Sequence, residues 1–294
     1  KDSLDGGAGI DYLNSYLADR GEGIKLDTRI SENLTLSDGT VYQNFEVLQD
    51  IQTGNDNDYV IQTSSIDNSA FRSNDNISTN DGDDTINAGL GVKDNVHGGY
   101  AKDLLIVDYS QGDTGTGLYH ILDGSNSDGV YGSANRWISD TEQTDLDRID
   151  FKGIDRFKIT GTKLDDRIQG WTYSDTLVGS DGDDTIYAND STNPGNGKDS
   201  LDGGAGVDYL NADLSNKSSA IVLDNSKSQN MSLADGTIYQ NFEVFQDVKT
   251  GNGNDKVIQS SPPRNPNLIR QSRQQPRQFR LLVPELRQIP LQFR

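Results

Sequence analysis

Apolar side chains recur along most of the chain in one short pattern: an aspartate is followed two residues later by isoleucine, leucine or valine. The pattern is clearest in residues 161–211, which read as five coils of nine residues with six extra residues at 188–193. Each coil has room for one tight turn and one short strand, whose middle side chain points inward. Because one coil cannot bury that side chain alone, the coils must stack. The pattern therefore predicts an all-β solenoid, and no long stretch shows helical periodicity.

Twelve coils of this kind can be placed along the chain. They start at residues 6, 53, 70, 79, 88, 98, 161, 170, 179, 194, 203 and 250, and the coil at 88 has one extra residue. Position six is always aspartate: Asp11, Asp58, Asp75, Asp84, Asp94, Asp103, Asp166, Asp175, Asp184, Asp199, Asp208 and Asp255. Position eight is always aliphatic: Leu13, Val60, Ile77, Ile86, Val96, Leu105, Ile168, Leu177, Ile186, Leu201, Leu210 and Val257. Such regularity is expected of a ligand and a core residue.

Glycines at positions one, two and four of the best coils indicate how the turn is made. Glycine at these positions permits the positive φ values that a tight turn demands. The same turn would point several backbone carbonyls inward, beside the carboxylate at position six. Carbonyl and carboxylate oxygens are hard ligands, which suit Ca²⁺. The residues themselves thus indicate a calcium-binding solenoid.

Residues 161–211 and 70–106 resemble the repeats-in-toxin family, also called haemolysin-type calcium-binding proteins. The best matches to its G-G-x-G-x-D-x-aliphatic-x pattern are 6–14, 98–106, 179–187 and 203–211. The resemblance implies a right-handed parallel β-roll, with calcium between the turn of one coil and the turn two coils later. Turn 161–166 would then face turn 179–184, and turn 79–84 would face turn 98–103. Turn 170–175 would face turn 194–199, and turn 179–184 would also face turn 203–208.

The metal-site residues that the resemblance implies come from these turns and from three further coils. They are Asp11, Asp75, Asp81, Gly82, Asp84, Asp94, Gly99, Asp103, Gly161, Asp166, Asp175, Ser180, Gly182, Asp184, Gly195, Gly197, Asp199, Gly204, Gly206 and Asp208. The coils at 6, 53 and 250 have no nonapeptide two coils away, so we expect them to lack a matched neighbour. Lys163, Trp171 and Tyr173 depart from the family pattern.

A longer repeat underlies the short one, because residues 2–14 recur at 199–211 with one change, Ile10 to Val207. The same offset of 197 maps residues 38–47 onto 235–244. Between the coil runs lie three glycine-poor spacers at about 15–52, 107–160 and 212–249, which we interpret as larger β coils of the same solenoid. Asp38-Gly39 and Asp235-Gly236 predict hairpin turns within them.

The charge is unevenly distributed, since the net charge of −20 includes seven arginines and one glutamate in residues 262–294. Residues 1–261 therefore carry −26 and should resist compaction without a compensating cation. We assign the solenoid to residues 1–261, with nonapeptide runs at about 2–14, 53–106, 161–211 and 250–258. Residues 262–294 hold six of the seven prolines. We interpret them as a disordered Pro/Arg-rich tail or as an out-of-frame translation.

The sequence offers little for catalysis. There is no cysteine, no His-Glu-x-x-His zinc motif and no G-x-S-x-G elbow. His97 and His120 are the only histidines, and we expect both on the surface or in loops. Trp137 and Trp171 are expected to pad the solenoid rather than to stack on sugars. We predict no enzymatic activity, no nucleic-acid partner and no membrane span.

The function predicted is that of a calcium-binding β-roll segment of a larger secreted bacterial exoprotein. Such proteins, by the family resemblance, leave the cell by type I secretion and fold outside it on binding calcium. We expect site affinities on the order of 10⁻⁴–10⁻³ M, and contacts with neighbouring domains and a cell surface or polysaccharide. One alternative is the repeat region of a cell-surface adhesin or surface-layer protein. Another is a β-helical polysaccharide lyase or epimerase, for which Arg156 and Lys158 are the nearest basic candidates.

Overall fold

A computed structural model describes residues 1–29, 34–62, 73–111, 114–137, 145–188, 197–226 and 230–260. Lys1–Ser261 form one compact unit. The tail predicted at 262–294 and residues 189–196 lie outside the described residues. Within them every regular element is a strand. No described helix is long and apolar enough to cross a membrane.

Most strands are short, as a nine-residue coil requires. The first twelve are β1 (Ser3–Asp5), β2 (Tyr12–Tyr16), β3 (Lys25–Asp27), β4 (Leu34–Thr35), β5 (Val41–Gln43), β6 (Val47–Gln52), β7 (Tyr59–Ile61), β8 (Asn76–Ser78), β9 (Thr85–Asn87), β10 (Asp94–His97), β11 (Leu104–Asp108) and β12 (Tyr119–Ser125). The others are β13 (Val130–Trp137), β14 (Asp145–Ile154), β15 (Arg156–Thr160), β16 (Arg167–Gln169), β17 (Thr176–Asp181), β18 (Thr185–Ala188), β19 (Ser200–Ala205), β20 (Tyr209–Asp213), β21 (Val222–Asp224), β22 (Met231–Ser232), β23 (Ile238–Gln240), β24 (Val244–Lys249) and β25 (Lys256–Ile258).

Successive coil strands alternate between two main sheets. Sheet I has eleven strands in the order β2-β6-β8-β10-β14-β13-β12-β16-β18-β20-β24. Sheet II has nine, in the order β22-β23-β19-β17-β15-β11-β9-β7-β3. Within the coil runs each strand pairs in parallel with the strand two places along the chain, as β16 does with β18 and β18 with β20. The predicted all-β parallel roll is confirmed.

The position-eight residues form the rungs of the core between the two sheets. Ile168, Ile186 and Leu210 are directly paired across sheet I, and Leu177 pairs with Leu201 in sheet II. All five are completely buried. Eleven of the twelve predicted rungs are at most 2% exposed. Parallel pairing in register thus places each aliphatic side chain on its equivalent in the next coil.

The exception is Val257, which is 46% exposed although its counterpart at the 197-residue offset, Val60, is fully buried. Val60 lies in β7, which pairs with β3 on one side and with β9 on the other. Val257 lies in β25, which pairs with β21 alone among the described strands. Val60 is thus covered by a strand on both sides, whereas Val257 has a described neighbouring strand on one side.

The first and third spacers contain the predicted hairpins. The strands β4 and β5 are antiparallel around Asp38-Gly39, as β22 and β23 are around Asp235-Gly236. Gly39 has a φ of +81°, and Asp38 accepts a hydrogen bond from the backbone N–H of Thr40 at 2.7 Å. The hairpin predictions are confirmed.

The middle spacer differs from the predicted larger parallel coil. The strands β12, β13 and β14 form an antiparallel meander within sheet I, with β14 parallel to β10 and β12 parallel to β16. The turn between β12 and β13 closes with the N–H of Asn126 donating to Gly129 O, and Gly129 has a φ of +140°. This tight turn reverses the chain, and the meander therefore adds three strands to sheet I where sheet II gains only β15.

The meander also buries groups that were expected on the surface. His120 is completely buried, and its ring lies 4.8 Å from Phe157 and 5.5 Å from Phe151. Burial lowers the pKa of His120 to about 3, which keeps it neutral. Arg136 and Asp147 form a buried ion pair at 2.8 Å nearby. The prediction of a surface or loop position for His120 was wrong, because β12 points it into the core.

We predict that Leu177→Ala lowers the free energy of unfolding in calcium-containing buffer by about 2–5 kcal/mol, because it removes a fully buried rung. The matched control is Thr176→Ala on the same strand, whose side chain is exposed and should change stability by less than about 1 kcal/mol. Urea unfolding followed by circular dichroism measures both. Equal effects of the two substitutions would contradict the inward orientation of position eight.

Candidate metal centres between the turns

Turns two coils apart are stacked and joined by a carboxylate. The backbone N–H of Asp166 donates to Asp184 Oδ1 at 2.7 Å, and the N–H of Asp184 donates to Asp208 Oδ1 at 2.9 Å. Asp166 and Asp184 are thus each hydrogen-bonded to the equivalent aspartate of the next turn on the same side. We call such a series a carboxylate ladder.

Other turn pairs are joined in the same way. The N–H to Oδ1 distances are 3.0 Å from Asp84 to Asp103, 2.9 Å from Asp75 to Asp94 and 2.9 Å from Asp175 to Asp199. The structure therefore brings together turn 79–84 with 98–103 and turn 170–175 with the described part of 194–199. Gly195 lies outside the described residues.

The second oxygen of several ladder carboxylates has no protein partner. This Oδ2 atom is buried and makes no hydrogen bond to the described residues in Asp11, Asp58, Asp84, Asp94, Asp103, Asp184 and Asp208. Burying a carboxylate oxygen without a hydrogen-bond donor costs free energy, because the oxygen loses its hydrogen bonds to water and gains none within the protein. A bound cation would satisfy it.

Carbonyl oxygens converge on these carboxylates at position one. A Cβ on Gly161 would lie 2.0 Å from Asp166 Oδ2, which also accepts the N–H of Thr162 at 2.6 Å, and 2.4 Å from the carbonyl oxygen of Gly179. A Cβ on Gly179 would likewise lie 2.1 Å from Asp184 Oδ2 and 2.3 Å from Gly203 O. Each site thus combines a carboxylate oxygen with a carbonyl from the turn two coils later. These are the hard oxygen donors that Ca²⁺ prefers, so the residues present fit the ion.

The glycines serve two different purposes. Gly204 and Gly206, at positions two and four, have φ values of +103° and +148°. The glycines at position one, such as Gly161 and Gly179, are not in the left-handed region. The freedom of glycine to adopt positive φ is therefore used at positions two and four but not at position one. There glycine is needed for space, because a side chain would overlap the carboxylate.

Burial raises the pKa of the ladder aspartates. Desolvation is the largest cause, and neighbouring aspartates add to it for most of the group. The pKa reaches about 8 for Asp94, Asp103 and Asp184, about 7 for Asp208, and about 6 for Asp75, Asp84 and Asp166. Without a cation, the folded roll would therefore have to take up protons near neutral pH.

Side chains alone do not build these sites. Among the described residues, no three aspartate, glutamate, histidine or cysteine side chains cluster closely enough to hold a metal. Each turn supplies one ladder carboxylate, so the remaining donors must be backbone carbonyls. Such a site depends on the backbone shape of two stacked turns.

Comparison with protein families agrees with this geometry. A family described as "RTX calcium-binding nonapeptide repeat (4 copies)" matches residues 72–92, 160–193 and 195–216. The chain carries RTX calcium-binding repeats. A search of curated proteins found no relative that matches the chain. The predicted cofactor is thus confirmed as Ca²⁺, which RTX repeats bind.

The structure places the other predicted site residues in the RTX turns with differing exposure. Asp81 is exposed, and its backbone bridges to Tyr100 in the facing turn. Ser180 has a φ of +90°, and its carbonyl oxygen lies 2.0 Å from where a Cβ on Gly204 would be. Gly82, Gly99 and Gly182 also have positive φ, and Gly197 stacks on the carbonyl of Tyr173. Asp11 is only half-buried.

The expectation that the coil at 53 lacks a matched neighbour was wrong. The N–H of Asp58 donates to Asp84 Oδ1 at 2.7 Å, so turn 53–58 is stacked on turn 79–84. The coils at 6 and 250 also have neighbours, which come from the spacers. The N–H of Asp11 donates to Glu46 Oε2, and Asp255 Oδ1 accepts from the N–H of Ile221.

Sequence reasoning missed three acids that continue the RTX ladders into the spacers, namely Glu46, Asp155 and Glu243. They accept hydrogen bonds from the N–H groups of Asp11, Asp103 and Asp208 at 2.9, 3.3 and 2.9 Å, respectively. Each is followed two residues later by a core residue: Leu48, Phe157 or Phe245. An acid-x-apolar search that allowed glutamate and phenylalanine would have found them.

We predict that the calcium-free roll is more stable at about pH 5 than at about pH 8. The folded-state pKa of Asp94, Asp103 and Asp184 is raised to about 8, whereas an unfolded aspartate titrates near 3.9. Their contribution to stability is thus fully present below about pH 4 and is lost as the pH rises through about 8. Circular dichroism of the calcium-free chain across this pH range measures the folded fraction, and urea midpoints add to it at each pH where the roll is folded. With saturating calcium the loss at high pH should disappear, because protons and calcium compete for the same oxygens. A calcium-free roll that weakens on acidification from pH 8 to pH 5 would refute the burial of these carboxylates.

We also predict that Gly179→Ala raises the calcium concentration needed for folding at least roughly tenfold, equivalent to about 1.4 kcal/mol. The new Cβ would overlap Asp184 Oδ2 and Gly203 O, which lie 2.1 and 2.3 Å from its position. Gly21→Ala is the control, since a Cβ there meets nothing within 4 Å and its φ is not positive. Calcium titrations followed by circular dichroism compare the two. Indistinguishable midpoints would show that position one does not shape the site.

Proposed function

We propose that this chain is a non-catalytic calcium-binding segment of a larger secreted bacterial protein. It would fold outside the cell when calcium binds between stacked RTX turns. The single observation that carries the proposal is the set of buried Oδ2 atoms without partners, each in a turn stacked on another. The family match supports it, because RTX repeats bind calcium.

The proposed calcium ligands are the position-six carboxylates and the carbonyls facing them. The strongest pairs are turn 161–166 with 179–184, turn 179–184 with 203–208, and turn 79–84 with 98–103. In these pairs the aspartates are Asp166, Asp184, Asp208, Asp84 and Asp103, all at most 3% exposed. The donors from positions one to four would be carbonyl oxygens of residues such as Gly161, Ser180, Gly182 and Gly204.

Charge gives the physical reason for coupling folding to calcium. Residues 1–261 carry a net charge of −26, and the roll buries a good part of its carboxylates. Where calcium is scarce, repulsion and chain entropy should keep the segment unfolded, a state suited to export through a type I secretion channel. At extracellular calcium, binding to the folded state alone shifts the equilibrium toward folding. We propose site affinities on the order of 10⁻⁴–10⁻³ M.

A structural rather than catalytic role fits the placement of the basic residues. Arg156 donates to the carbonyl oxygen of Lys102 at 2.7 Å, and Lys158 projects from the outer face of sheet II. The ladder aspartates lie inside the turns, so Arg156 and Lys158 do not face them across an open groove. This favours the calcium-binding scaffold over a polysaccharide lyase or epimerase.

The repeat region of a cell-surface adhesin or surface-layer protein is the second candidate. It is favoured by the 197-residue repeat, which the structure reproduces in detail. The pair β2–β6 has a register shift between Leu13 and Asn14, and the pair β20–β24 has the same shift between Leu210 and Asn211. Many further copies in the complete reading frame would decide for this candidate. A single copy beside a toxin or hydrolase domain would decide against it.

We predict that calcium converts the chain from largely unfolded to β-structured, with a midpoint on the order of 10⁻⁴–10⁻³ M. Asp184→Asn should raise that midpoint roughly tenfold, because it removes the charge of a fully buried ladder carboxylate. The amide oxygen can still accept the N–H of Asp166, so the variant should not be less stable in calcium-free buffer. Circular dichroism during a calcium titration measures the midpoint, and urea unfolding of the calcium-free chains at about pH 5, where the roll should be more stable, compares their stability.

Asp181→Asn is the matched control, since Asp181 is exposed in the same coil. Its midpoint should equal that of the unchanged chain. A β-sheet spectrum that persists when calcium is removed at neutral pH would contradict the proposed coupling between calcium binding and folding. Equal midpoints for Asp184→Asn and Asp181→Asn would sink the ligand assignment.

A further inference from the structure

Two of the three carboxylate ladders that continue into a spacer do so from a completely buried nonapeptide aspartate. The N–H of Asp103 donates to Asp155 Oδ2 at 3.3 Å, and the N–H of Asp208 donates to Glu243 Oε2 at 2.9 Å. Neither Asp155 nor Glu243 belongs to a nonapeptide or to a residue range matched by the RTX family. The spacer acids nevertheless occupy the position that an aspartate would have in a next RTX turn.

The surroundings of Asp103 resemble those of an RTX site. Asp103 is completely buried, and its Oδ2 has no hydrogen-bond partner among the described residues. A Cβ on Gly98 would lie 2.6 Å from that oxygen and 2.1 Å from the carbonyl oxygen of Gly153. In the RTX pair 161–166 and 179–184, the corresponding distances from Gly161 are 2.0 Å and 2.4 Å. Gly153 thus supplies the carbonyl that a position-one glycine supplies elsewhere.

Asn241 supplies the equivalent carbonyl beside Asp208. Asp208 is completely buried, with an Oδ2 that lacks a hydrogen-bond partner in the described part of the chain. A Cβ on Gly203 would lie 2.0 Å from the carbonyl oxygen of Asn241 and 2.8 Å from Asp208 Cγ. Asn241 has a φ of 55°, so the spacer turns sharply at this point although residue 241 is not a glycine.

Asp155 and Glu243 differ from the RTX aspartates in the acceptor of their backbone N–H groups, and this difference places them at the end of each ladder. Their backbone N–H groups donate back to the carbonyl oxygens of Asp103 and Asp208, both at 3.1 Å. The N–H groups of Arg156 and Val244 donate to the same two carbonyls at 2.9 Å. The acid therefore has no N–H left to bind a further carboxylate. The spacer turn closes the ladder instead of extending it.

We propose that these spacer turns complete two additional calcium sites, one from Asp103, Asp155 and Gly153 O, and the other from Asp208, Glu243 and Asn241 O. The inference rests on the proposed function, since it needs calcium between RTX turns as well. Carboxylates and carbonyls are the donors that calcium takes from proteins. The buried, unpartnered oxygens of Asp103 and Asp208 point to a ligand independently of the acidic residues around them. The chain therefore holds calcium where its RTX runs meet the spacers.

The test counts calcium ions bound to the full chain. Equilibrium dialysis at saturating calcium, followed by elemental analysis, should show one ion fewer for Asp155→Asn, one fewer for Glu243→Gln, and two fewer for the double variant. The amide of each variant can still accept the N–H bond, so the turn should keep its shape. Asp108→Asn and Asp247→Asn are the controls, because both acids are exposed on neighbouring strands, and both should bind as many ions as the unchanged chain.

The outcomes separate this inference from the proposed function. An unchanged chain that binds no calcium would overturn the proposed function. Normal binding that is reduced by Asp184→Asn, but not by Asp155→Asn or Glu243→Gln, would overturn only the spacer sites. Should a variant be too unstable for dialysis, the slope of its folding midpoint against the logarithm of calcium concentration gives the number of linked ions. That slope should fall by one for each spacer substitution, and an unchanged slope would reject the spacer sites.

Discussion

The structure depends on stacking one carboxylate directly above another inside the turns of the roll. Neighbouring parallel strands are about 4.8 Å apart. Two unit charges about 5 Å apart repel by on the order of 3 kcal/mol at an effective dielectric constant of about 20. Asp166, Asp184 and Asp208 form one such column. The fold thus needs a positive charge between successive turns, and their inward carbonyl oxygens select a cation with a preference for oxygen.

The hydrogen bonds of the ladder explain how each turn holds its carboxylate in the orientation that a cation needs. One oxygen of Asp184 is held by the N–H of Asp166, which fixes the side-chain orientation. The other oxygen is left facing the carbonyl of Gly203 across the small space at Gly179. The glycine contributes by having no side chain, and the aliphatic rung at Ile186 holds the adjacent strand in register. Metal binding and core formation therefore occur in the same nine residues, so the core rungs stack fully only when the turns do.

The sequence was most informative where the same chemistry recurs. The Asp-x-aliphatic spacing located the buried rungs and the ladder aspartates, because both follow from a coil of fixed length. It failed where a residue's role depends on a distant partner. His120 is buried because the meander folds it onto Phe151 and Phe157, which no local pattern shows. Asp155 and Glu243 were missed because phenylalanine takes the aliphatic position after both of them, and because glutamate replaces aspartate at Glu243.

Val60 and Val257 occupy equivalent places in two nearly identical segments, yet one is fully buried and the other is 46% exposed. The difference lies outside both segments, in whether a further strand such as β9 covers them. Local sequence alone therefore does not fix how firmly a coil is held. In a stack of coils, each coil is stabilised by the coils next to it. Amide hydrogens around Val257 should therefore exchange with solvent much faster than those around Val60.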